Sequence, residues 1–301
     1  MEFKHTSVLF DECMEGLDIK PDGIYVDGTM GGGGHSSGIC SQLSEEGTFI
    51  GIDRDMDAHR AAQARLADYP CRKIFVQSNY SDIKDVLEEL GIDHIDGALL
   101  DLGVSSFQLD NPERGFSYKV DGPLDLRLDP EHGESATDRL KNITREEFEG
   151  MMIENSDEPY AEEIAKKVFF KMQRGEKIET TTDLKNAIEE ALVVVPAAER
   201  KDAVKKSCAR VFQALRIDVN SEFEVLYGFL DKLPDILNQG ARVAILTFHS
   251  GEDRLVKKAF KHYKKIGVYS EISEDVTRPS AEECARNPRA KSTKLRWAIK
   301  A

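Results

Sequence analysis

A chain of 301 residues that is 40% hydrophobic and 32% charged, with a formal net charge of −14, has ample material to bury a core and remain soluble. No apolar run reaches the ~20 residues of a membrane span, the opening MEFKHTSVLFDE carries no signal-like apolar stretch, and five scattered cysteines form no C-x-x-C pair. Membrane, disulfide-scaffold and zinc-module classes are therefore set aside, and a cytoplasmic protein with reduced thiols and no required metal is expected. The acidity is uneven, since residues from Arg254 onward carry +8 and the preceding part −22. Such asymmetry can mark a surface that faces a polyanion; for Lys257 to Lys265 the alternative is a solvated helix face.

In chain order, KHTSVL (Lys4 to Leu9) is an apolar lead-in to an amphipathic segment, and Pro21-Asp22-Gly23 turns into a first strand, Ile24 to Asp27. Four consecutive glycines, Gly31 to Gly34, precede a helix predicted over His35 to Leu43. A second strand, Thr48 to Ile52, finishes at Asp53, and a helix follows over Met56 to Leu66. A third strand, Cys71 to Val76, leads to Tyr80; Ile83, Val86, Leu87 and Leu90 then show helical spacing, and a fourth strand, Gly97 to Leu100, ends at Asp101. This βα rhythm predicts a parallel sheet covered by helices.

After Asp101 the rhythm breaks. Residues from about 107 to 135 are dense in Gly, Pro and Asp, and helical patterns without strands follow, including a T-x-x-E capping box at Thr144 to Glu147. We read 1–106 as the first part of an α/β core, 107–205 as a helical insertion, and 206–301 as the second part with a basic tail. One long helical pattern runs from Val204 to Leu230. The βα pattern returns with a fifth strand, Ala241 to Phe248, and two short strands are expected at Gly267 to Ile272 and Leu295 to Ile299.

Ligands of open α/β sheets sit outside the carboxyl ends of the strands, where this chain places Asp27, Asp53, Tyr80 and Asp101. The glycine turn fits no register of the dinucleotide pattern G-x-G-x-x-G, which disfavours a nicotinamide enzyme. S-adenosylmethionine suits the acids better: its sulfonium and amino group are cationic, its ribose hydroxyls can donate to Asp53, and its adenine can lie on Tyr80. The acid-x-Gly-x-Gly pattern of methyltransferases is met at Asp27 and Gly31, with Thr29 in place of its first glycine. A cap or turn role is the plain alternative for any one of these acids.

The motifs KHTSVL, DGTMGGGGHS, GIDRD (Gly51 to Asp55), LLDLGVSSFQLD (Leu99 to Asp110), RGFS (Arg114 to Ser117), DGPLDLRLDP (Asp121 to Pro130), FQALRI (Phe212 to Ile217), TFHSGEDR (Thr247 to Arg254) and NPRAKSTKLR (Asn287 to Arg296) occur in that order. Together they resemble the bacterial ribosomal RNA small subunit methyltransferase H (MraW) family, which methylates the N4 amino group of a cytidine in the decoding region of 16S rRNA. The resemblance implies a class I S-adenosylmethionine-dependent methyltransferase: a Rossmann-like, mostly parallel sheet with an inserted helical, substrate-recognising domain. It maps cofactor contacts onto Gly33, Gly34, His35, Asp53, Tyr80, Asp101 and Gln108, beside Gly31 from the glycine pattern. It implies 16S rRNA, within a 30S particle, as partner. The chain departs from the family pattern at Asn155-Ser156-Asp157-Glu158, at Ala209 before FQALRI, and at Gly251.

An exocyclic amino group conjugated to its ring is a poor nucleophile, and acceptors for its hydrogens would let the nitrogen pyramidalise. Asp101, or groups between Val104 and Ser106 including the hydroxyls of Ser105 and Ser106, are the expected acceptors. The alternative is that Asp101 serves the cofactor alone and the serines cap a turn. Ser250 to Asp253 reads as a capping box after His249. Phosphate contacts are expected from Arg278, Arg289, Lys291, Lys294 and Arg296, with Phe107 and Phe116 as walls for a displaced base. A non-catalytic S-adenosylmethionine-binding assembly factor, or a paralogue with another RNA site, is the competing function.

Overall fold

The computed structural model describes residues 7–301, with the side chains of Ser106 and Phe107 excepted, so the start of KHTSVL lies outside the described residues. The chain divides into two compact units, 1–103 with 223–301, and 104–222.

The first unit is an α/β layer structure. Its elements up to the break are α1 (Phe10–Leu17), β1 (Ile24–Asp27), α2 (Gly34–Gln42), β2 (Thr48–Asp53), α3 (Met56–Leu66), β3 (Arg72–Gln77), α4 (Ile83–Glu89) and β4 (Ile95–Asp101). The helical unit holds α5 (Ser106–Asp110), α6 (Ala136–Asn142), α7 (Arg145–Ser156), α8 (Ala161–Gln173), α9 (Thr181–Ala191) and α10 (Ala197–Asn220). The first unit resumes with α11 (Glu222–Ile236, its first residue at the boundary), β5 (Leu237–Thr247), α12 (Ser250–Lys265), β6 (Tyr269–Ile272), α13 (Ala281–Arg286) and β7 (Lys294–Lys300).

Seven strands form one sheet in the order β3-β2-β1-β4-β5-β7-β6. The five strands from β3 to β5 run parallel, whereas β7 pairs antiparallel with both β5 and β6. Strand side chains alternate between faces, so Tyr25, Phe49, Leu99 and Ala244 pack with α1, α2 and α3, while Val26, Ile50, Leu100 and Val243 pack with α4, α11 and α12. Burial on both faces explains the nearly continuous apolar strands. The strand order reverses between β1 and β4, so Asp27 and Asp101 end the two strands that flank the switch point, where ligands of such sheets sit.

The helical unit has its own apolar core, to which Leu140, Phe148, Met152, Ile164, Val168, Leu184, Ile188, Val211 and Leu215 contribute. Thr144 caps α7 and Thr180 caps α9, each in a reciprocal capping box. The Gly/Pro/Asp-rich approach to α6 is latched rather than loose. Arg114 Nη2 donates to the carbonyls of Arg127 (3.1 Å) and Leu128 (2.8 Å), and Asn220 Nδ2 donates to that of Leu126 (2.8 Å).

Three expectations change. The Val204–Leu230 pattern is two helices, because Ser221 takes φ 50°, a left-handed turn that ends α10. The boundary therefore lies at 222/223 rather than 205/206, since α10 adds Cys208, Val211, Phe212 and Leu215 to the helical core. Phe116, expected as a wall for a base, is instead a buried member of that core.

Two of the departures from the family pattern have structural work, and nothing in the structure explains Ala209. Asn155 Nδ2 donates to Ala214 O (3.2 Å), and buried Glu158 accepts from Ser207 Oγ (2.7 Å), so this element ties α7 and its exit to α10. A Cβ at Gly251 would meet the Phe223 ring at 2.5 Å, so glycine there makes room for that ring.

Candidate functional site

The glycine turn leaves β1 at Asp27, which is fully buried. Its Oδ2 accepts from Ser36 Oγ (2.7 Å) and its Oδ1 from Thr29 N (3.1 Å), which closes the turn onto the start of α2. Burial raises the Asp27 carboxyl to about 6, against the hydrogen bond from Ser36. Gly31 and Gly33 have φ of 50° and 76°, which favours glycine at both. A Cβ at Gly32 would meet nothing within 4 Å, and one at Gly31 only the Thr29 carbonyl at 3.8 Å. The turn is thus a cradle with open space against bare backbone on one side. Gly34, which starts α2, is packed on its other side, where a Cβ would strike Ser7 Oγ at 2.1 Å.

Asp53 closes the cradle from the end of β2. Its Oδ2 accepts from Gly31 N (2.8 Å) and its Oδ1 from Asp55 N (2.9 Å). Burial raises its carboxyl as well, opposed by those two N–H donors. Each oxygen retains lone-pair capacity for a further donor. Tyr80 opens a short 3₁₀ turn after β3, with its ring edge-on to Phe229 at 5.6 Å between centroids.

His35, at the first turn of α2, is buried and directs both ring nitrogens to protein acceptors. Nε2 lies 2.9 Å from Val8 O and therefore carries a hydrogen, while Nδ1 lies 3.3 Å from Asp101 Oδ2. Burial disfavours charge on this ring, but hydrogen bonds with Asp101 and then Cys13 outweigh it and raise its pKa well above the ordinary imidazole value. Asp101 is fixed again through its backbone, since its N–H donates to Thr29 Oγ1 (2.6 Å). The threonine in place of the expected glycine thus joins the β1 turn to the end of β4. With Oδ2 turned to His35, Asp101 Oδ1 is buried and has no hydrogen-bond partner among the described residues. A buried acceptor of this kind is costly unless a donor arrives.

Seven of the expected residues, Gly31, Gly33, Gly34, His35, Asp53, Tyr80 and Asp101, lie in the α/β unit at the turn or at strand ends. Ser105 and Gln108 belong to the helical unit, where they form a reciprocal capping box on α5. Gln108 N donates to Ser105 Oγ (3.2 Å) and Ser105 N donates to Gln108 Oε1 (3.0 Å). Ser105 thus caps α5, the role stated as its alternative; the Ser106 side chain lies outside the described residues. His249 is itself the cap of α12 in a box with Glu252, so the expected Ser250–Asp253 box starts one residue earlier.

The basic tail divides. Arg278, Arg289 and Lys291 are exposed. Lys294 and Arg296 on β7 instead engage Asp253 on α12, with Nζ–Oδ2 at 3.0 Å and Nε–Oδ1 at 2.7 Å. Arg296 is only 5% exposed, so these two members of the expected phosphate-binding set are fold contacts. Burial opposes charge on Asp253, but the bonds from Arg296 and Lys294 prevail and hold its carboxyl below the usual range. Sequence reasoning missed Cys13, Thr29 and Ser36 as supports of the site; a hydroxyl one turn into the helix after a glycine run was the available signal for Ser36.

The MraW methylase family model matches residues 2–301. The chain belongs to the MraW methylase family. It is 54% identical over 300 residues to "Ribosomal RNA small subunit methyltransferase H 1" of Lachnoclostridium phytofermentans, covering 99% of this chain and 81% of that protein. It is 43% identical over 316 residues to "Ribosomal RNA small subunit methyltransferase H" of Clostridioides difficile, covering 100% of both. Among solved structures, an S-adenosylmethionine-dependent O-methyltransferase from Thermotoga maritima superposes with a TM-score of 0.45 at 10% identity, covering 99% of this chain and 68% of that one. The sheet of this methylase, with one antiparallel strand between β5 and β6, is the class I methyltransferase arrangement, and its cofactor is S-adenosylmethionine. The open glycine cradle and the orphaned Asp101 oxygen fit such a cationic, hydroxyl-bearing group. No helix among the described residues is long and apolar enough to cross a membrane.

Proposed function

We propose that this methylase transfers the methyl group of S-adenosylmethionine to the N4 amino group of a cytidine in the decoding region of 16S rRNA, acting on the 30S particle. The observation that carries the reading is the unpartnered Oδ1 of Asp101 at the switch point of the sheet. The family supplies the RNA: relatives that share about half of its residues carry small-subunit ribosomal RNA methyltransferase in their names.

Bound in the cradle, S-adenosylmethionine supplies an electrophilic methyl group on a sulfonium. Gly31 to His35 would hold its methionine end against backbone, Asp53 would accept from its ribose hydroxyls, and Tyr80 would lie on its base. His35 holds one oxygen of Asp101, which leaves the other to accept a hydrogen of the nucleophilic amine. Accepting that hydrogen draws the nitrogen lone pair out of conjugation, and positioning of the two reacting groups contributes roughly 7–11 kcal/mol. The proton can leave after the methyl group has moved, so no strong base is required. Arg278, Arg289 and Lys291, exposed in the tail, would contact phosphates.

Nucleoside mass spectrometry of 16S rRNA from cells with and without the protein tests this reading. It expects one N4-methylated cytidine to vanish with the gene and to return when purified protein and S-adenosylmethionine are added to unmodified 30S particles. Methylation of free rRNA but not of particles would move the substrate to a stage before assembly. Cofactor binding with no methylated nucleoside would point to a non-catalytic assembly factor.

A further inference from the structure

The helical unit is acidic as a whole, with 18 Lys+Arg against 25 Asp+Glu over residues 104–222, yet one stretch of it is not. From Arg200 to Arg210, α10 carries five cations and one acid, Asp202. The cations of this stretch differ in what they touch. Asp202 binds Lys206 at 2.7 Å, and Arg210 lies 3.9 Å from buried Glu158. Lys201 and Lys205, four residues apart and so on one face of the helix, are exposed and form no ion pair among the described residues.

These two lysines line a cavity of about 470 Å³, a size that holds a nucleotide. Lys185 and Arg200 line it too. Arg200 is held in place by donating from Nη2 to Val193 O (2.8 Å) and Val195 O (2.9 Å). Val204 and Tyr118 add apolar surface, the Tyr118 ring being steadied edge-on by Phe212 at 5.7 Å. Val193 and Val194, 60% and 66% exposed, stand beside Arg200 as an apolar ledge. The lining contains one acid, Glu189, which Lys185 approaches at 3.7 Å.

A cavity lined by cations together with an aromatic ring is the combination that binds single-stranded nucleic acid, with phosphates on the lysines and a base on the ring. We propose that this cavity of the helical unit is a docking site for a single-stranded segment of the substrate RNA, with backbone phosphates on Lys201 and Lys205 and a base or ribose against Tyr118. The proposal rests on the reading that the protein acts on RNA, but not on which atom it methylates. The site does not choose the methylated base; it holds a segment of the strand through its backbone.

The test is equilibrium binding of a labelled 16S rRNA fragment to the full chain over a salt series, with S-adenosylmethionine affinity and circular dichroism measured in parallel. Lys201→Glu/Lys205→Glu should weaken RNA binding by about tenfold or more at moderate salt and reduce the log–log salt slope by about 2, one for each lost phosphate contact. Cofactor affinity and the dichroism spectrum should not change. Tyr118→Ala should weaken RNA binding with the slope intact, and Tyr118→Phe should restore it. Unchanged affinity and slope in the lysine variant overturn the proposal. A loss confined to 30S particles, with naked rRNA bound as before, assigns the surface to a ribosomal protein and also overturns it. If nucleoside analysis finds no N4-methylcytidine while the lysine variant still loses affinity and slope, the cytidine reading fails and the docking site stands.

Discussion

The two units hold charge in opposite ways. In the α/β unit four acids are engaged internally: Asp27 by Ser36 and Thr29, Asp53 by Gly31 and Asp55, Asp101 by His35, and Asp253 by Lys294 and Arg296. One oxygen, Asp101 Oδ1, is left over, and it is buried. In the helical unit the lysines of α10 that face the cavity are exposed and unpaired among the described residues. The difference teaches that charge density along a sequence is not available charge. A buried, fully directed acid suits chemistry on a small cationic cofactor, where one misplaced dipole matters. Exposed lysines suit a long polyanion, where counterion release supplies the affinity and exact geometry matters less.

The sharpest way to break this contrast is Asp101→Asn. The amide presents an N–H donor on one side and cannot reproduce both the His35 contact and a free acceptor. Methyl transfer in single turnover should fall about 10²–10³-fold, as when a positioned polar group is removed from a transition state. An Asp101→Asn protein that binds cofactor normally and transfers methyl at full rate would remove the acid from the chemistry.

Next in size is Arg296→Ala. It should cost about 2–3 kcal/mol in urea unfolding, because it removes the closest charged donor from the half-buried Asp253 carboxylate and leaves only Lys294 beside it. Below the unfolding transition it should leave RNA affinity unchanged. A variant of full stability and weakened RNA binding would return this arginine to the phosphate-binding set.

The third test is pH. Asp27 ionises at about 6 when folded, above the ordinary carboxylate value, so the folded state holds its proton more tightly than the unfolded state. Stability should therefore fall as pH rises from about 4 to about 6, by up to about 3 kcal/mol at 1.36 kcal/mol per pKa unit. His35 is raised too, and its stabilisation is complete below the unfolded imidazole value near 6.5 and lost as pH climbs through the higher folded value. Thermal melts from pH 4 to 9 should show both declines, and His35→Asn should abolish the upper one. A flat upper limb in the unsubstituted protein would mean that His35 is neutral.

The smallest expected effect is that of Lys291→Ala. As an exposed contact to one phosphate it should reduce the salt slope by about 1 and the affinity a few-fold, equally for all RNA sequences. Sequence-dependent loss would place this lysine at a base instead of the backbone.

Much of the α/β unit was legible because its strands are apolar runs that stop at a polar residue. β1, β2 and β4 each end on the aspartate that the alternation of hydrophobic run and acid marked, and α3 spans the residues predicted for it. The end of α10 was not legible, because Ser221 adopts a left-handed conformation with neither Gly nor Pro to announce it. Lys294 and Arg296 looked free because Asp253, their partner, lies more than 40 residues away in sequence, and a charge count sees no distance. Within the site, the acids were readable one at a time. Their coupling through His35 and Thr29 was not, since it depends on β4 lying beside β1.

The place of β7 has a consequence for how the chain is made. Residues 294–300 occupy an interior position of the sheet, between β5 and β6, and Leu295 and Ala298 are buried core residues. The helical unit, by contrast, is continuous in sequence and is synthesised in full before β5 exists. During vectorial synthesis the helical unit can therefore reach its native packing early, while the α/β unit waits for its penultimate strand. A nascent chain stopped short of residue 294 would expose the edges of β5 and β6 to strand pairing with other chains.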